Sequence, residues 1–301
     1  MAMCYNKNME NEKVKKGKLI YVNDVPNEFE HLKKYIRGSI KDCFGNFDFD
    51  CNIRIKFIES YCINKFEVSD CFLQSKSIDY HTISITNNCL KTIKFDGGDF
   101  FVTAIFHEML HIYDYIKMIK TGLFDFNLSL VAHSSFENEY IATGFNFWTE
   151  IYAYMMTIKF TQENNIFYEA ITFGNLVNKY KIVRKTNKQI ENKTDLTYEQ
   201  AKFYIDCVKS FVYLCSKFMA SFYAGHSKLP RKKIDNNKDY EKVYLILKKL
   251  EPKVEKLINN AYSKKADVYL FNLGKCIWTQ INWKIFHIGL TEKNGKICPF
   301  Y

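Results

Sequence analysis

The chain has 301 residues, of which 47% are hydrophobic and 17% aromatic, and it carries a formal net charge of +10. That length can bury a real core as one large domain or two modest ones, and that composition excludes a disordered chain. The positive charge does not by itself make a nucleic-acid surface. The lysines are scattered, and the densest cluster, Lys228 with Arg231, Lys232 and Lys233, reads as a solvated loop.

The first 18 residues are a polar lead-in with no apolar core of a secretion signal. LIYVNDV (19–25) predicts a first strand, ended by Pro26, and the spacing of apolar residues over 28–44 predicts a helix. CNIRIKFIE (51–59) alternates with period two, placing Ile53, Ile55 and Phe57 on one face and Arg54 and Lys56 on the other. YHTISIT (80–86) repeats that half-buried pattern, and LKTIKF (90–95) reads as a further strand, joined to it by a hairpin through Asn87 and Asn88. Asp99 is a good N-cap for a helix from Phe100 to about Lys120, which Gly122 ends.

A second helix is predicted from about Asn146 to Glu163, and beyond Ile166 helical spacing dominates. Residues 179–195 read as a polar interruption. Thr197 and Gln200 form a capping box ahead of a long helix to about Ser221. Residues 238–265 read as another helix, bent or split at Pro252, and LFNLGKCIWTQINWKIFHIG as a last one. The 10 cysteines include no CxxC pair and read as reduced, mostly buried thiols. No apolar run approaches the roughly 20 residues that span a bilayer. The expectation is a cytoplasmic protein with no membrane partner.

The chemistry lies in IFHEMLHIYDYIK (105–117). Residues four apart on a helix share a face, so His107 and His111 point the same way and can reach one ion. Glu108, one position round, is too displaced to be an equal ligand but is placed to take a proton from a water molecule. Such an HExxH pattern is the arrangement of a zinc metallopeptidase. Phe106, Met109, Leu110 and Ile112 make the helix largely apolar, and burying these polar side chains among them without a partner is costly.

A catalytic zinc takes three protein ligands. Asp114 lies on the face of His111, but its short side chain on the same helix suits a supporting role, accepting the second N–H of a ligand histidine. His133 lies in a predicted loop, and Glu137 and Glu139 in a solvated polar stretch. Glu150 sits in an apolar helix between Trp148 and Ile151 and needs a partner there. Small Ala153, one turn on, allows close approach of the histidine helix. Glu150 is therefore the expected third ligand, with His133 as the alternative.

HEMLH followed by a helical Glu150, with Ala153 three residues on in TEIYA, resembles the gluzincin branch of the zincin metallopeptidases over about residues 95–160. The interval between the helices is long, and the short spacing and trailing Asn-Glu of thermolysin-like enzymes are absent. Position 117 is lysine, so the third-histidine extension of the metzincin branch is absent too. The resemblance implies an α+β, zincin-like fold: a small N-terminal sheet whose edge binds extended substrate, an active-site helix, then a mostly helical lobe. Residues 1–165 would form the catalytic region and 166–301 the helical lobe packing on it, in one domain or two. It implies Zn2+ as cofactor and hydrolysis of a peptide or protein substrate, with Glu108 as general base. A donor for the developing oxyanion is sought among His133, Tyr140, Tyr152, Tyr154 and His226.

Two other classes compete. An inactive zincin-fold binding or regulatory protein would keep the helices without needing a full ligand set. A basic nucleic-acid-binding protein would exploit the net charge, but no helix-turn-helix or zinc-finger spacing supports it. The sequence does not set the oligomeric state.

Overall fold

The computed structural model describes residues 18–21, 27–47, 51–58, 71–75, 80–86, 99–120, 136–163, 171–191, 197–228, 237–282, 289–293 and 296–300. The elements are β1 (Leu19–Tyr21), α1 (Lys33–Asn46) with a 3-10 turn before it (Asn27–Leu32), β2 (Asn52–Ile58), β3 (Cys71–Ser75), β4 (Tyr80–Thr86) and α2 (Asp99–Lys120). They continue with α3 (Phe136–Glu163), α4 (Phe173–Glu191), α5 (Tyr198–Tyr223), α6 (Lys238–Asn260), α7 (Ala266–Ile277), β5 (Gly289–Lys293) and β6 (Lys296–Phe300). The class is α+β. The chain divides into two compact units, 1–113 and 114–301, and the division falls inside α2. The polar lead-in, the strand expected over 90–95, its hairpin turn, Gly122 and Arg231 to Lys233 lie outside the described residues.

The first unit is built on a four-stranded sheet in the order β1-β2-β4-β3. β1, β2 and β4 run parallel, with Ile53 beside Leu19 on one side and His81 on the other, and β3 closes the sheet antiparallel to β4. β2 alternates as its sequence predicts: Ile53, Ile55 and Phe57 are buried while Lys56 is exposed. β4 does not. His81, Thr82, Ile83, Ser84 and Ile85 are all buried, so this strand, between β2 and β3, is covered on both faces. The strand expected to be half-buried is buried from His81 to Ile85. Burial lowers the pKa of His81 to about 4, so its imidazole is neutral. In α1, Ile36, Ile40 and Cys43 make the buried stripe, at helical spacing. Phe47, just past that helix, packs its ring on Tyr113 at 4.9 Å and on Phe106 at 6.2 Å, both from α2.

The second unit has one apolar core, drawn from the end of α2 and from α3 to α7. α3 starts at Phe136, well ahead of the expected Asn146. Its early turns cross α7 through two glycines. A Cβ on Gly144 would collide with the Leu270 carbonyl, and one on Gly274 with the Tyr140 carbonyl. The helices touch there backbone to backbone, closer than any other residue pair allows.

Residues 179–195, expected as a polar interruption, are mostly helix instead. α4 buries Leu176, Val177, Val183 and Thr186 along one stripe and exposes Lys181, Arg184, Lys185 and Lys188. Three turns of mostly polar sequence hide a narrow apolar face. Arg184 reaches the buried Asp239 at 3.0 Å. The capping box of α5 is present: the Gln200 N–H donates to Thr197 Oγ1 at 3.3 Å, and the Thr197 N–H to Gln200 Oε1 at 3.5 Å. α6 is not split. It runs through Pro252, with Val243, Ile246, Leu247, Leu250, Val254 and Leu257 buried on one face. The hairpin β5-β6 was not expected; it pairs Gly289 with Phe300 and Lys293 with Lys296.

Among the described residues Cys43, Cys51, Cys207, Cys215 and Cys276 are buried free thiols. No helix among the described residues is long and apolar enough to cross a membrane.

Candidate metal centre

α2 is helical because its apolar residues recur at three- and four-residue spacing. Ile105, Phe106, Met109, Leu110, Ile112 and Ile116 are buried, which leaves His107 and Glu108 half-buried at the edge of that surface. His111, one turn after His107, is 9% exposed. The two imidazoles meet edge to face, with ring centroids 4.6 Å apart and planes at 89°, and their Nε2 atoms are 3.0 Å apart. Glu150 of α3 completes the group: one ligand atom from each of His107, His111 and Glu150 lies within 4.8 Å of the others.

These donors fit a divalent metal. Two ligands at about 2.0–2.1 Å from a tetrahedral ion stand roughly 3.3–3.4 Å from each other. The Nε2 separation of 3.0 Å is close to that edge. Two imidazoles and one carboxylate are the donor set of a borderline dication with a position left for solvent. Without an ion the same Nε2 pair makes a hydrogen bond, one ring donating and the other accepting. Glu108 stands outside the group of three, next to His107 in the chain.

Within the second unit a buried carboxylate ties the end of α2 to α3. Asp114 is fully buried, and its Oδ1 accepts hydrogen bonds from the Tyr262 hydroxyl at 2.8 Å and from Trp148 Nε1 at 3.3 Å. Burial pushes its pKa up to about 6, and the hydrogen bonds from Tyr262, Thr149 and Trp148 limit the rise. The supporting role expected for Asp114 was to orient a ligand histidine. The bonds at Oδ1 do something different: they tie α2 to Trp148, two residues before Glu150, and to Tyr262 after α6. The Tyr152 ring lies against both of these partners, at 6.1 Å from Trp148 and 6.5 Å from Tyr262.

The other candidates separate by position. His133 lies outside the described residues, as does the side chain of Glu139, and Glu137 is exposed on the first turn of α3. Of the expected oxyanion donors, His226 is exposed after α5, and Tyr140 packs on Phe271 and Trp278 at the crossing of α3 with α7. Tyr154 differs. It is one turn after Glu150, on the same face of α3, and its hydroxyl is 2.7 Å from that of Tyr213 on α5. Between these two rings sits Lys217, with its Nζ 4.4 Å from each ring centroid. Burial lowers the pKa of Lys217, and the nearby Glu150 carboxylate opposes that shift. Nothing local in the sequence marks Tyr213 and Lys217, because only the packing of α5 on α3 brings them to Glu150.

Compared with family models, with curated proteins and with solved structures, the chain finds no match.

Proposed function

We propose that the protein is a zinc metallopeptidase of the zincin type, with His107, His111 and Glu150 as metal ligands. The observation that carries this reading is the convergence of those three donors from two helices, with the two Nε2 atoms 3.0 Å apart. A small sheet, then a histidine helix, then a glutamate helix is also the element order such a fold needs.

Each residue has a distinct task. His107 and His111 are neutral and present Nε2; Glu150 presents a carboxylate. Zn2+ bound to them supplies a Lewis acid that polarises the substrate carbonyl and brings the pKa of water towards about 7. Glu108 takes the proton from the attacking water and hands it to the departing amine. Asp114, through Trp148, fixes the turn of α3 that presents Glu150.

Metal analysis and one variant test this. Purified protein is expected to hold about one zinc per chain. Glu108→Gln is expected to keep the zinc and lose activity on peptides by roughly 10²–10⁴-fold, the usual share of a general base. A protein that binds no metal, with the His107–His111 pair merely hydrogen-bonded, sinks the reading. So does a Glu108→Gln variant as active as the parent. Zinc without hydrolysis of any peptide would leave an inactive binding protein on the same scaffold.

A further inference from the structure

Lys217 carries a charge partly withdrawn from water. It is half-buried on α5, and its contacts are the faces of Tyr154 and Tyr213, each 4.4 Å from Nζ. Among the described residues its ammonium has no ion-pair partner. A cation taken partly out of water is costly; the Glu150 carboxylate and two ring faces offset part of that, and a dication on Glu150 would take up the first of these. The arrangement is built, not accidental to a long side chain. Tyr213 and Lys217 are four apart on α5, and Glu150 and Tyr154 four apart on α3, so two polar stripes face each other. The tyrosine rings stand 6.0 Å apart at 68°, joined by their hydroxyls at 2.7 Å. Tyr213 is 38% exposed, so a ligand can reach the group from solvent.

We propose that Lys217, with the hydroxyls of Tyr154 and Tyr213, forms a subsite for a carboxylate of the substrate peptide, beside Glu150. This rests on the peptidase reading, because it is the peptide that brings the carboxylate there. One ammonium matches one carboxylate, while phosphate at neutral pH calls for more positive charge than a single lysine gives. A dication on Glu150 and two neutral histidines would leave the neighbourhood positive, which favours an anionic ligand. The carboxylate can come from the chain terminus or from an Asp or Glu side chain of the substrate.

Calorimetric titration of the zinc-loaded, full-length protein tests the subsite without requiring turnover. The probes are two matched pairs: acetyl-Ala-Ala as acid and as amide, and acetyl-Ala-Glu-amide against acetyl-Ala-Gln-amide. One acid is expected to bind at least tenfold tighter than its neutral partner, and which pair shows it identifies the source of the carboxylate. Lys217→Met should abolish that preference while leaving the neutral peptides and the zinc content unchanged, and Lys217→Arg should restore part of it. If the methionine variant does not fold, Tyr213→Phe should weaken the preference on an intact fold. Equal affinity for acid and neutral probes, or no binding of either, overturns the subsite. A preference that survives in Lys217→Met belongs to the metal and overturns it too. A carboxylate preference without hydrolysis of any peptide removes the peptidase reading and leaves the subsite standing.

Discussion

Helix α3 meets two neighbours by opposite means. At its early turns it crosses α7 with no side chains between, since Gly144 and Gly274 each leave room only for a hydrogen. Farther along it meets α5 with a tyrosine pair, a lysine and a glutamate in the gap. Removing side chains brings two backbones together and leaves nothing to react. Placing charged side chains where a core would be costs stability and leaves groups that a ligand could meet. The first contact suits a scaffold and the second a site, and one helix carries both.

That contrast gives an order of effects. Gly274→Ala should do the most damage, because its methyl meets a backbone carbonyl that has no rotamer to escape by. A loss of about 3 kcal/mol, or failure to fold, is expected in denaturant melts. A loss below about 1 kcal/mol would mean the crossing is not a tight one.

The next effect is a pH dependence. The folded pKa of Asp114 is raised to about 6, so the native state holds a proton that the unfolded chain has released between about pH 4 and 6. Stability from this group therefore falls as pH rises through that window, by on the order of 2–3 kcal/mol. His81 acts oppositely. Its folded pKa is lowered to about 4, so its contribution is present at neutral pH and is lost as pH falls from about 6.5 to 4. In metal-free parent protein the two slopes largely cancel. Asp114→Asn keeps an acceptor for Tyr262 and Trp148 and should uncover a stability that rises from pH 4 to 6.5, with a gain of roughly 2 kcal/mol at pH 7. A variant whose melting curves shift with pH as the parent's do would show that Asp114 is not held near that value.

The smallest effect on folding belongs to the site itself. Glu150→Gln should change the stability of metal-free protein by less than about 1 kcal/mol. It should weaken zinc binding by more than the roughly 10–100-fold that losing a supporting bond costs. Unchanged zinc affinity would remove Glu150 from the ligand set and break the contrast at its functional end.

Much of this was readable from residue order. The period-two run of β2, the capping box at Thr197 and the helical span of α2 depend on local spacing, and local spacing is what a sequence displays. The histidine pair is local too, since one turn of one helix sets it. Glu150 was inferable because an acid between Trp148 and Ile151 needs a reason to be there. What escaped detection depended on tertiary partners. Residues 179–195 read as a polar interruption because the buried stripe of α4 is narrow and its lysines dominate the composition. The burial of β4 on both faces is decided by its neighbours, as polar His81, Thr82 and Ser84 disguise a central strand. Lys217 is an ordinary helical lysine until α5 is laid on α3. The start of α3 was misplaced because Gly144 counts against a helix locally, while its contact with α7 favours one.

The parallel pairing of β1, β2 and β4 has a kinetic consequence. Neighbours in that ladder are separated by long stretches of chain, so each must find its partner across a large loop before the pairing yields any gain. The helical unit has a longer closure still, because α3 meets α7 backbone to backbone with α4, α5 and α6 lying between them in the chain. During synthesis the strands of the sheet can therefore pair while later helices are still being made, and the crossing of α3 with α7 must wait until α7 has emerged.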